Sequence, residues 1–368
     1  MKRTPLYDFH VAHGKLVEFA GYDMPIWYSS ITEEHLAVRN HSGIFDISHM
    51  GRVIVGGVDA EPFIERLVPT YSASQPTGKS FYTLLLNSDG GIIDDIIIMK
   101  RPNDYVLVVN AASKAKDLEH LENVSSSFRV DMDDVTDDTT MIAIQGPEAL
   151  HALQPMSAVD LSEVKRFTHT RSRVGGSDAT ITRTGYTGED GFEIILHDSG
   201  IENSSPAVSV WNELATRAVP CGLGARDSLR IEAGLPLYGS DISETTNPIE
   251  AGLSWVLSKG KTGYVGDEAV ARYGMTPPQR LRRGIIMADK IPRHGFPITD
   301  LSARKIGEIT SGTFSPLLRK GIAMGYINAP DAQVGGSVLV DIRGSPAQGK
   351  IIKTPFYDET AYGWKRTK

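Results

Sequence analysis

The stretches of the chain densest in apolar residues lie between residues 81 and 110. Three of them, 81–87, 92–100 and 105–110, are separated by Ser88-Asp89-Gly90-Gly91 and Pro102-Asn103-Asp104, both turn-forming sequences. The pattern predicts three consecutive strands. Upstream, Ser29-Ser30-Ile31-Thr32-Glu33-Glu34 has hydroxyl caps and acidic residues in a first turn, which predicts a helix to about Asn40. Further strands are predicted at 52–55 and 139–144, and helices at 112–122, 208–217 and 225–233. Residues 130–140 read as a strand end and connection, and 183–196 as a hairpin around a glycine-rich loop. Pro277-Pro278, followed by Arg280, Arg282 and Arg283, marks a domain boundary. Beyond it, Gly and Pro recur between short apolar runs, as in a small β-barrel or sandwich. The predicted class is α+β with a β-rich end.

Composition narrows the function classes. A chain of 368 residues holds about two to three domains. Its 38 basic and 45 acidic residues leave a net charge of −7, which disfavours nucleic-acid binding through a broad basic face. The single cysteine, Cys221, excludes an internal disulfide and a Cys-rich metal site. It reads as a small buried apolar residue rather than a nucleophile. No signal-peptide pattern opens the chain, and no segment approaches the roughly 18 apolar residues of a membrane span. A soluble cytoplasmic protein without membrane or nucleic-acid partners is the expectation. Phosphate-loop, zinc-helix and nucleophile-elbow motifs are absent, and Gly222-Leu223-Gly224-Ala225-Arg226-Asp227 lacks the third glycine of a dinucleotide loop.

Three constellations carry candidate chemistry. On a strand 92–100, alternation puts Ile92, Asp94, Ile96, Ile98 and the charged Lys100 on one face and Ile93, Asp95, Ile97 and Met99 on the other. Asp95 is then the one polar residue on an apolar face, where burial raises a carboxyl pKa and marks a functional candidate. The competing reading is a bulge or turn carboxylate that binds backbone N–H groups. Second, Thr184-Gly185-Tyr186-Thr187-Gly188-Glu189-Asp190-Gly191-Phe192-Glu193 spaces three glycines evenly, which lets a backbone pass close to a flat ligand. Tyr186 offers a stacking face and Glu193 a bidentate acceptor; a plain hairpin with an exposed Glu is the alternative. Third, Arg226 sits at a helix start, against the helix dipole. It binds a ligand carboxylate or carbonyl, or pairs with Asp227 or Glu232. His49 reads as structural. His10 and His13 share a helix face without enough ligands for a metal, and Trp27, Tyr28 and Trp255 are core or pocket-wall aromatics.

Together these stretches resemble the glycine cleavage T-protein family of aminomethyltransferases. The resemblance is carried by Phe19-Ala20-Gly21-Tyr22-Asp23-Met24-Pro25, Phe45-Asp46-Ile47-Ser48-His49-Met50-Gly51, Gly90-Gly91-Ile92-Ile93-Asp94-Asp95 and Gln145-Gly146-Pro147. It continues through residues 183–193, 222–227 and Asn247-Pro248-Ile249-Glu250-Ala251-Gly252-Leu253, and on to Gly307-Glu308-Ile309-Thr310-Ser311-Gly312 and Pro355-Phe356-Tyr357. These segments span nearly the whole chain, in order. The resemblance implies a three-domain cloverleaf around a central folate site, with a C-terminal β-barrel-like domain. Its units here are 1–52 plus 139–250, an inserted 53–138, a connecting 251–279, and 280–368. It implies transfer of a methylene carbon from the aminomethyl-lipoyl arm of an H-protein to tetrahydrofolate, with release of ammonia. No metal is implied.

By the same resemblance Asp95 is the catalytic carboxylate. Glu193, Arg226, Tyr82, Tyr186 and Asn110 surround the folate, with Tyr362 (or Tyr357) as a C-terminal contributor. Arg226, Arg230 and residues 280–283 offer a local basic patch for a polyglutamate tail. Two other readings share the scaffold: a folate-dependent demethylase of a small methylated substrate, and a non-catalytic folate binder. The loop Gly185-Tyr186-Thr187-Gly188 lacks the cysteine expected of the latter.

Overall fold

Beside a short two-stranded sheet (Lys15–Phe19 with Tyr22–Trp27), three larger sheets organise the chain, seen in a computed structural model whose described residues are 1–367. The first has six strands in the order His169–Val174, Ser177–Thr182, Gly191–Leu196, Thr140–Gln145, Gly43–Asp46 and Val219–Pro220. All neighbours are antiparallel except the last pair. Between its strands the chain leaves to form a second, five-stranded antiparallel sheet. The order there is Ser80–Leu86, Ile92–Lys100, Tyr105–Val109, Gly51–Gly56 and Asp131–Asp134. The strand Gly51–Gly56 pairs wholly within this sheet, so the inserted unit starts a little before residue 53. From Arg280 a six-stranded barrel closes, which bears out the β-rich end.

The predicted helix at 30–40 forms as Ile31–Asn40, with the Ser30 hydroxyl accepting from Glu33 N–H at 3.2 Å. The other predicted helices form as Lys114–Ser125, Ser205–Ala215 and Leu223–Ala233. Gly234, at φ 74°, stops the last of these in the left-handed conformation that glycine adopts without strain. The segment 251–279 is more than a connector. It holds the helix Asp267–Met275, and Ala251, Leu253, Val256, Tyr264 and Val270 pack on Leu84, Leu86 and Ile92 of the inserted sheet.

The two sheets of the N-terminal half face each other across a shared core. Met99, Val106 and Val108 from the inserted sheet pack with Phe45, Met141, Ala143 and Ile195 from the first. Burying several such side chains, each worth about 1.5–3 kcal/mol, holds the two sheets together. The helix Leu223–Ala233 lies beside this seam. Ala225 and Leu229 enter the seam, whereas Ile231 packs on Ile322 and Met324 of the barrel.

Candidate active site

Strand register decides which side chains meet at this seam. Asp95 shares its face with Ile97 and Met99, both turned toward the first sheet. Opposite, Glu193 shares its face with Ile195, while Phe192, Ile194 and Leu196 enter the core behind that sheet. One carboxylate thus projects from each inner face.

The expected alternation fails at one position. The ladder slips between Leu85 and Leu86, so that Leu85 pairs with Asp94 and Leu86 with Ile92. Ile93 is bulged out and joins Ile96 and Ile98 in the core of the inserted unit, while Ile92 packs with Leu84 and Leu86. Only the placement of Ile92 and Ile93 changes; Asp94 and Asp95 keep opposite faces.

Each aspartate fits one of the two readings. Asp94 is the backbone-binding carboxylate: it is fully buried and accepts from Asn110 N–H at 3.0 Å and from Asn110 Nδ2 at 2.9 Å. Asp95 is the carboxylate at the seam. The Tyr82 hydroxyl donates to its Oδ2 at 3.0 Å, and Asn110 Nδ2 donates to its Oδ1 at 3.1 Å. Burial, reinforced by the charge of Asp94, pushes the Asp95 carboxyl up to about 7, against the pull of these two donors. Tyr82 stacks on Trp255 with ring centroids 5.4 Å apart, and Trp255 is two-thirds exposed at 66%.

Glu193 is buried and receives the Thr184 hydroxyl on Oε2. Burial raises its carboxyl above the usual range, countered by Thr184 and by the charge of Arg226. The Arg226 guanidinium sits over Tyr186, 4.8 Å from the ring centroid, and reaches Met50 Sδ at 3.7 Å. It forms no salt bridge among the described residues, because its two expected partners are engaged elsewhere. Asp227 pairs with Arg230, and Glu232 with Arg39 and His35. Tyr186 donates to the Pro236 carbonyl and lies in the field of both Asp95 and Arg226. Asp95, Tyr82, Asn110, Tyr186, Arg226 and Glu193 therefore form one neighbourhood.

Other expected residues lie apart from it. Tyr362 faces Tyr357 and Arg366, with the Arg366 guanidinium 5.5 Å from its ring. Tyr357 lies under Arg39 at 4.7 Å. The basic patch is largely consumed within the fold. Arg230 is buried between Asp227 and Asp241 and donates to Ser311, Arg280 pairs with Glu250, and Arg282 and Arg283 donate to backbone carbonyls. The three loop glycines do not clear a path for a flat ligand. A side chain at Gly185 or Gly191 would strike Gln145, and one at Gly188 would strike the Tyr357 hydroxyl and Ala233. Their space is filled by protein.

His49 is structural: burial and the neighbouring Arg226 hold it near 3, too low for a base at neutral pH. His10 joins Asp46 and Tyr28 at 2.8 Å each. Cys221 is buried with its thiol pushed up by burial, so no thiolate nucleophile forms. Sequence reasoning gave Thr184 no role, and for Trp255 it left core and pocket wall open; the exposed ring stacked on Tyr82 is no core residue. The T-x-x-x-x-x-x-x-x-E spacing of a hairpin was the one available signal for Thr184. Two open clefts of about 520 and 400 Å³ lie between the inserted unit and the segment 251–279 and are lined by none of the six gathered residues. No helix is long and apolar enough to cross a membrane among the described residues.

Comparison with known proteins agrees with this fold. Residues 6–261 match the family described as "GCVT N-terminal domain", and residues 280–358 match "Glycine cleavage T-protein C-terminal barrel domain". The aminomethyltransferase of Thermus thermophilus is 40% identical over 97% of this chain and 99% of its own. That of Staphylococcus carnosus is 42% identical over 96% and 97%. The crystal structure of the glycine cleavage system aminomethyltransferase T from Bartonella henselae superposes with a TM-score of 0.90 at 34% identity, covering 97% of this chain and 98% of the other.

Proposed function

Since the chain belongs to the glycine cleavage T-protein family and is an aminomethyltransferase, we propose that tetrahydrofolate binds at the seam between the two facing sheets. The carrying observation is the pair of carboxylates, Asp95 and Glu193, projecting from opposite inner faces with an unpaired guanidinium between their surroundings.

The chemistry of these groups suits the ligand. Oε1 of Glu193 receives no donor from the described residues, so this largely buried side chain keeps an acceptor free for the amino and ring N–H donors of a pterin. Arg226 keeps donors for a carbonyl or carboxylate. Tyr82, Tyr186 and Trp255 offer flat apolar surface. Asp95 is the group placed for the transferred carbon. Ionised, it stabilises positive charge that develops as the C–N bond to the departing ammonia weakens. With a pKa near neutrality it also holds or returns a proton at low cost. Tyr82 and Asn110 keep the carboxylate in one orientation. The aminomethyl group arrives on the lipoyl arm of an H-protein partner.

Asp95→Asn tests the assignment. It keeps the shape and the Tyr82 contact but removes the charge, so turnover should fall by about 10²–10⁴-fold while folate affinity stays within a few-fold. Tetrahydrofolate and aminomethyl-loaded H-protein would be mixed with the enzyme, and ammonia and methylenetetrahydrofolate followed. Turnover of the variant at the wild-type rate would remove Asp95 from the chemistry. Turnover of the wild type on dimethylglycine but not on H-protein would replace the partner.

A further inference from the structure

Behind Asp95, a third carboxyl completes the network. Asp117, on the helix Lys114–Ser125, is buried, and no fixed N–H or O–H donor reaches either of its oxygens. What faces it is the Asp94 carboxyl. Two carboxyl groups hydrogen-bond only when one carries a proton. Asp94 already accepts from two Asn110 donors, an arrangement that suits the ionised form. We propose that Asp117 is a positioning residue for Asp95: its protonated carboxyl donates to Asp94 and holds Asp94 as the carboxylate that orients Asn110 against Asp95.

Proton placement follows from the surroundings. Asp117 is pushed up to about 10 by burial and then by Asp94, with Asp95 adding to the rise and Lys116 alone opposing it. Asp94 is raised by burial and meets Asn110 and Ser113 besides Asp117, while Tyr238 lies within its field. The pair therefore holds one proton at neutral pH, on Asp117. Asp94 keeps its negative charge, and that charge is the second cause of the raised Asp95 carboxyl. One Asn110 amide nitrogen donates to both Asp94 and Asp95, so the geometry of one carboxylate sets that of the other.

The inference rests on Asp95 being the reacting carboxylate, and its test separates the two claims. Infrared difference spectra of the full-length enzyme at about pH 8 should show the C=O stretch of a protonated buried carboxyl, and Asp117→Asn should abolish it. A missing band, or a band that survives in D117N, overturns the proposal whatever Asp95 does. The second arm is the pH profile of kcat/KM with aminomethyl-loaded H-protein. Asp117→Leu removes the donor, so the next proton goes to Asp94 and Asp95 stays ionised; the acid limb should move down by about one unit or more. Asp117→Asn supplies an N–H donor in its place, and its limb should stay near that of the wild type. A D117L limb that does not move, or equal movement in both variants, defeats the positioning role. If D117L does not fold, the infrared result with D117N decides. In an Asp94→Asn background D117L should add no further shift; an additive shift would mean that Asp117 acts by another route.

Discussion

Removing one oxygen atom next to Asp95 should move the pH at which the enzyme works. Tyr82→Phe deletes the hydroxyl that donates to Asp95 Oδ2 at 3.0 Å and leaves the ring stacked on Trp255. That bond favours the ionised carboxylate, and its loss should raise the Asp95 pKa from about 7. A hydrogen bond to a charged group is worth about 1.5–3 kcal/mol, and about 1.4 kcal/mol corresponds to one pKa unit. The displacement is therefore about one to two units upward.

At pH 7 the ionised fraction would fall from about one half to between about a tenth and a hundredth. If the carboxylate form is the active one, kcat/KM at that pH drops by about 5- to 50-fold. Near pH 9 the two enzymes should agree within about twofold, because both carboxyls are then at least half ionised. The assay is ammonia release from aminomethyl-loaded H-protein at saturating tetrahydrofolate across that range. An equal loss at every pH, with the acid limb in its wild-type place, would refute the reasoning. Tyr82 would then contribute contact area and not control of Asp95.

Three other outcomes are expected. Glu193→Ala should weaken tetrahydrofolate binding by about 5- to 150-fold, since buried ligand donors left unpaired cost about 1–3 kcal/mol; calorimetry would show it, and an unchanged Kd would place the pterin elsewhere. Arg39→Met should destabilise the fold by about 3–5 kcal/mol, because Glu189 and Glu232 lose a buried guanidinium bound at 3.1 and 3.0 Å and keep only Arg366 and His35 as basic partners; a loss under about 1 kcal/mol in urea unfolding would contradict this. Finally, His49 is held near 3 in the fold, below its ordinary 6.5. The stability that comes from keeping it neutral is complete above pH 6.5 and is lost as pH falls toward 3. His49→Gln should flatten the acid side of a melting-temperature profile, and an unchanged slope would show that His49 is not among the groups driving it.

Local signals made much of this legible in the sequence. The carboxyl pair is an example. Strand periodicity alone separated Asp94 from Asp95, and in the fold Asp94 takes the backbone N–H of Asn110 while Asp95 stands at the seam with Tyr82. The capped helix at Ile31–Asn40 and the barrel start at Arg280 also followed from local patterns. What stayed hidden depended on partners far along the chain. The strand His169–Val174 reads polar because it is the half-exposed edge of its sheet. The bulge at Ile93 arises from pairing with Leu85 and Leu86, which no periodicity in 92–100 encodes. The loop glycines were sound as a marker and wrong in their reason, since Gln145 and Tyr357, distant in sequence, fill the space they leave.

Long-range placement also explains how a barrel that supplies none of the six gathered side chains bears on their arrangement. Asp95 and Glu193 are fixed by their own sheets, but Arg226 is fixed by the helix Leu223–Ala233. Four residues after Arg226, and so on the same side of that helix, Arg230 is locked to Asp241 and to Ser311 of the barrel. Two residues further, Glu232 receives Arg39, His35 and barrel Ser315, and its carbonyl accepts from Phe356 N–H. These bonds are buried, so water does not compete for them, and breaking one leaves a buried polar group short of a partner. The helix therefore cannot turn about its axis without moving the barrel. The guanidinium at its start stays over Tyr186, facing the carboxylate that its charge helps to keep ionised.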